Sequence, residues 1–122
     1  SEFLTSNKIE VKKYTGWDLN KDLIDNIKLS DVKNTAFEVV DIAKDISKYR
    51  DNFDIGVMLG LLNFNLGEES LNYTYSKNLI RNAFTVVEEV LIVDFLSSNI
   101  SNTYPKEDFV FYHDPVKMLE FA

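Results

Sequence analysis

The chain has 122 residues, 45% of them apolar, with nine Phe, six Tyr and one Trp, which suits one globular domain over residues 1–122 and excludes a disordered chain. It has no cysteine and a formal net charge of −7, so disulfide frameworks and thiolate metal sites are excluded, and a phosphate backbone would be repelled. No stretch reaches the roughly 18 apolar residues of a membrane span and no secretory pattern opens the chain, so the expected setting is cytoplasmic, away from membrane and nucleic acid. The first residues, Ser1-Glu2-Phe3, lack Met and fit a cleaved tag, a trimmed precursor or an excised domain alike.

In chain order, Lys8 to Tyr14 places Ile9 and Val11 on one side and charges on the other, a short extended lead-in that Gly16 breaks. Asp18 is the expected N-cap of a short helix with Leu19, Leu23, Ile24 and Ile27 at helical spacing. Ser30 is expected to cap a helix to about Tyr49, because Val32, Ala36, Val39, Ala43 and Ile46 recur at steps of four and three. Its other face carries Lys33, Glu38, Asp41, Lys44, Asp45 and Lys48.

From Phe53 to Leu66 the chain is nearly all apolar and ends at Gly67. Its length and the glycine stop favour a buried helix, while the internal Gly56 and Gly60 and the alternation Leu62 to Leu66 fit a buried strand. After a loop from Glu68 to Ser76, a central helix is expected from about Lys77 to Leu96, since apolar residues such as Leu79, Ala83, Val87 and Leu91 cover most of its circumference. Phe109 to Tyr112 is the best strand candidate, Pro115 ends it, and Val116 to Phe121 supplies a last half-turn. The fold expected is mainly α, a single-domain bundle of about four helices with short extended segments near both termini; an α+β domain with a small sheet is the alternative.

The catalytic inventory is thin, with one His and no Cys. A Ser-His-Asp triad would have to use His113 beside Asp114, and no Gly-x-Ser-x-Gly turn accompanies it. A metal phosphohydrolase site would need further His ligands. Neither phosphate-loop pattern occurs, so no cofactor and no metal are expected. Glu88, Glu89 and Asp94 interrupt the most apolar segment, where burial would raise a carboxyl pKa toward acid/base use, but adjacent Glu88 and Glu89 would point about 100° apart on a helix.

Charge placement says more than its total. Residues 1 to 50 carry nine Lys/Arg and nine Asp/Glu, whereas 51 to 122 carry four and eleven. An acidic second half attracts a basic protein surface. The expected function is therefore an acidic protein-binding module, an inhibitor or immunity-type antidote for a basic toxin or nuclease, and not an enzyme. Glu68, Glu69, Glu88, Glu89 and Asp94 would supply charge, with Tyr73 and Tyr75 as anchors. The alternatives are a helical assembly subunit, homodimeric through Gly56 to Leu66, and, behind it, a carboxylate-dependent enzyme.

Overall fold

The computed structural model describes residues 10–27 and 34–122. They fall into two compact units that divide after Asp41.

In the first unit, strand β1 (Tyr14–Asp18) leads into helix α1 (Lys21–Asn26) and then strand β2 (Thr35–Val39). The strands are parallel, with Tyr14 opposite Thr35 and Asp18 opposite Val39. The turn between β1 and α1 is built by two side chains. Asp18 accepts from the Asn20 N–H at 2.7 Å, and Asn20 accepts from the N–H groups of Asp22 and Leu23 at 2.9 and 3.2 Å. The cap is thus Asn20, and Asp18 organises the residue before the helix. Gly16 sits inside β1 and does not break it. A Cβ there would meet Phe37 Cδ1 at 2.6 Å, so the missing side chain is what lets the Phe37 ring cross the strand, with Tyr14 edge-on at 6.0 Å.

The second unit holds a 3₁₀ turn (Ser47–Tyr49), strand β3 (Phe53–Met58), helix α2 (Glu69–Phe84), strand β4 (Val87–Val93) and helix α3 (Pro115–Phe121). Strands β3 and β4 are parallel, with Ile55 opposite Val90 and Met58 opposite Val93 and an irregular register between Phe53 and Ile55. A β-α-β crossover makes this parallel pairing. Met58, Leu62, Leu79, Ala83 and Met118 form the buried core, with Ile80, Leu91, Val93 and Phe95 packed against it. The other face of the sheet is apolar but open: Ile55, Val57, Val90 and Ile92 are each about half exposed.

Beyond β4 the chain is irregular and held by cross-links. Asn63 Oδ1 accepts from the Leu96 N–H at 2.9 Å. The N–H groups of Asn65 and Phe111 donate to the carbonyls of Phe109 and Asn63, and those of His113 and Ser98 to the carbonyls of Leu96 and His113. Helix α3 starts where Asp114 accepts from the Val116 N–H at 2.8 Å, with Pro115 in the first turn. There proline's fixed φ suits a helix start, so Pro115 opens a helix.

The four-helix bundle is therefore overturned. Three helices and two small parallel sheets among the described residues make the fold α+β. Of the helix expected over Ser30 to Tyr49, Ser30, Val32 and Lys33 lie outside the described residues, as do Lys8 and Ile9. The remainder is β2 followed by turns. Asn34 takes a left-handed φ of 65°, and Asp45 accepts from the Ser47 N–H at 2.9 Å, a local bond that competes with helix. The segment from Phe53 is a strand to Met58 and then a loop, with Gly60 and Gly67 at φ 71° and 92°.

The helix expected over Lys77 to Leu96 starts earlier, at Glu69, stops at Phe84, and gives way to β4 after a two-residue turn. The apolar stretch from Val90 to Val93 in β4 has the same composition as a central helix, so the pattern alone does not separate the two. At Phe109 to Tyr112 the described structure has only an isolated bridge, Val110 to Phe64. Among the described residues no helix is long and apolar enough to cross a membrane.

Candidate functional site

A parallel β-α-β unit sends its chain out at the carboxyl ends of its strands, and in the second unit the segments that follow β3 and β4 border an open cleft of about 450 Å³. Asn65 and Gly67 come from the loop after β3, Glu69, Asn72 and Tyr73 from the first turns of α2, and Ser98 from the segment after β4. Phe111, Tyr112, Asp114 and Lys117 complete the wall. All of these follow β3 or β4 in the chain, in loops or in the first turns of α2 and α3.

The cleft floor is wired by two asparagines. Asn72, 2% exposed, accepts from the Leu66 N–H at 2.8 Å and donates to Asn65 Oδ1 and to the Glu68 carbonyl. Asn65 also accepts from the Gly67 N–H at 2.9 Å and donates to the Asp108 carbonyl at 2.8 Å. Buried amides of this kind hold a turn because leaving them unpaired is costly. On the wall, the Asp114 N–H donates to the Tyr73 hydroxyl oxygen at 2.8 Å, and Phe111 stands edge-on to Tyr73 at 5.3 Å.

Charge enters through Glu69, Asp114 and Lys117. The Lys117 ammonium is 2.5 Å from Glu69 Oε1 and 5.0 Å from the Tyr73 ring centroid. The hydrogen bond to Glu69, with further attraction to Asp114, holds the Lys117 pKa above its ordinary value.

Behind the wall lies His113, fully buried. Its Nε2 is 2.9 Å from Ser76 Oγ, and its ring is surrounded by Phe111, Phe95 and Tyr73 at 4.7, 5.4 and 5.7 Å. Nδ1 has no hydrogen-bond partner. Burial pushes the His113 pKa down, which favours a neutral ring. Ser76 is 1% exposed, so this Ser-His pair is part of the core, and Asp114 is turned to its capping role. Among the described residues no three His, Asp or Glu side chains are grouped to hold a metal ion.

The seven residues singled out for partner binding do not converge. Glu69 and Tyr73 line the cleft and Glu68 adjoins it; Tyr75 lies further along α2 and outside the wall. Tyr73 is tied into the wall by its hydroxyl and its ring contacts. Glu88 and Glu89 are exposed near the amino end of β4. Asp94 follows the carboxyl end of that strand, where it accepts from the Gly60 N–H at 2.6 Å and joins the loops after β3 and β4. Sequence reasoning missed Asn65, Asn72, Asp114 and Lys117. Asp114-Pro115 carried a usable signal, a capping residue followed by proline at a helix start; the asparagines carried none beyond their number. Comparison of the chain with models of known families, with characterised proteins and with solved structures gave no match.

Proposed function

We propose that the second unit binds a small polar ligand in the cleft at the carboxyl ends of β3 and β4. The observation that carries this reading is topological. Segments leaving both parallel strands, together with the start of the crossover helix between them, line one concavity. In open α/β sheets that is where ligands bind, because side chains and helix starts converge there without disturbing the core. A volume of about 450 Å³ suits a small molecule, and a lining of amide, hydroxyl and charged side chains beside Tyr73, Phe111 and Tyr112 suits a polar one.

Titrating isotope-labelled protein with a library of small polar compounds tests the reading. Ligands should shift the backbone resonances of residues 65–73 and 111–117 together. If compounds that bind leave those resonances unmoved and shift others, the cleft is not the site.

A second reading keeps the acidic protein-binding module and its basic partner, and the open sheet face favours it. Ile55, Val57, Val90 and Ile92 make an exposed apolar strip, with Asp54, Glu88 and Glu89 exposed at its amino end. Parallel sheets are usually covered on both faces. A helix carrying an apolar stripe and basic flanks would complete the layer. Charge reversal at Glu88 and Glu89 should weaken capture of such a partner, while changes at the cleft should leave it intact.

A further inference from the structure

We infer that the cleft selects a cation, specifically a primary ammonium attached to a flat or aliphatic body, an inference that rests on the small-ligand reading of the same site. The wall already holds such a group. The Lys117 ammonium lies 2.5 Å from Glu69 Oε1 and 5.0 Å from the Tyr73 ring centroid, so a carboxylate and an aromatic face act on one cation. Aromatic faces attract ammonium groups through the ring quadrupole.

The groups around it agree in sign. Glu69 and Asp114 outnumber Lys117 among the charged wall residues, and the hydrogen bond to Glu69, with weaker attraction to Asp114, raises the Lys117 pKa. The positive start of α2 would favour an anion, but Glu69 occupies its first turn and supplies one. The Tyr73 hydroxyl oxygen accepts a bond from the Asp114 N–H, which fixes the ring in the wall and leaves its own proton to donate elsewhere.

Lys117 is a tethered occupant. Its side chain is about half exposed and Glu69 more so, so the pair opens at little cost, as surface ion pairs do. A free amine would displace the Lys117 ammonium from Glu69 and lay its apolar body against Tyr73 and Phe111. The same chemistry could come from a free small amine or from a lysine side chain of a peptide.

The test uses four probes on the full chain by NMR titration: benzylammonium, Nα-acetyl-lysinamide, benzoate and inorganic phosphate. Benzylammonium or Nα-acetyl-lysinamide should shift residues 69–73 and 111–117, and whichever binds more tightly identifies the source of the ammonium. Benzoate and phosphate should not shift them. Lys117→Met removes the resident cation and should tighten ammonium binding by about two- to fivefold, the worth of an exposed ion pair. Adding Glu69→Gln to Lys117→Met should weaken it again. Both sites are exposed, and thermal unfolding of each variant checks that the fold survives.

If benzoate or phosphate shifts the cleft and the amines do not, the cation inference falls while the ligand site stands. If the amines and the anions shift only residues elsewhere, or shift none, the cation inference falls and the broader library titration decides the site. If Lys117→Met weakens amine binding, the tethered-occupant argument is wrong.

Discussion

Protonating His113 should destabilise the second unit, and the effect can be worked from its surroundings. The ring is fully buried, held by Ser76 on one nitrogen and walled by three aromatic rings. Burial lowers its pKa below the ordinary 6.5. Below pH 6.5 the unfolded chain therefore takes up a proton that the folded chain refuses, and stability falls as pH falls. The slope approaches about 1.4 kcal/mol per pH unit between the ordinary and the lowered pKa, and vanishes above pH ~7.5. Urea unfolding of the wild type and His113→Gln at pH 7.5, 6.5 and 5.5 measures it. Glutamine keeps a polar group near Ser76 and cannot titrate. The carboxylates are common to both proteins, so the difference between them isolates the histidine. The variant starts less stable, and the gap should narrow as pH drops. A gap that stays constant from pH 7.5 to 5.5 would refute the reasoning.

Three further outcomes follow from single contacts. Gly56→Ala places a methyl 2.7 Å from Val87 Cγ1 and 3.0 Å from Leu91 Cδ1, and should cost about 1–3 kcal/mol through overpacking; an unchanged urea midpoint would mean β4 yields freely. Asn72→Ala strips partners from the Leu66 N–H and from Asn65, and should cost about 1–3 kcal/mol, with faster amide exchange at Leu66 and Gly67 as a second readout. Val87→Asp puts a charge at a buried strand position, 7% exposed, and should lower stability by about 3 kcal/mol or more, whereas Glu89→Gln, at an exposed position, should leave the melting temperature within a degree or two.

Why some elements were legible in the sequence and others were not comes down to periodicity. Leu79 and Ala83 recur four apart and are buried on α2 as expected. Val87 and Leu91 continue the same spacing, yet they lie on β4, where both side chains approach Gly56. Apolar residues around most of a helix's circumference mark no clear face, and Val90 to Val93 carry no alternation, so neither the helical nor the extended form is marked. The boundary at Thr85 shows only in three dimensions, where its N–H closes the last turn of α2. The stretch from Ala36 to Ile46 misled differently: its spacing satisfied a helix, while Asn34, Asp45 and Ser47 held the local geometry of turns. At the cleft, Glu69 and Tyr73 were reached through charge and residue type, and Asn65 and Asn72 were not, because the value of a buried amide depends on which backbone groups the fold brings to it.

The paired asparagines under the cleft also bear on how fast and at what cost a ligand would arrive. With the Leu66 and Gly67 N–H groups already bonded to Asn72 and Asn65, the loop after β3 is ordered before anything binds. Association then requires no coupled folding, so the rate should approach that of simple diffusional encounter and depend linearly on ligand concentration. The heat-capacity change on binding should reflect only the apolar area the ligand itself covers. Replacing Asn72 would transfer the ordering of that loop to the binding step, slowing association and making the heat-capacity change more negative.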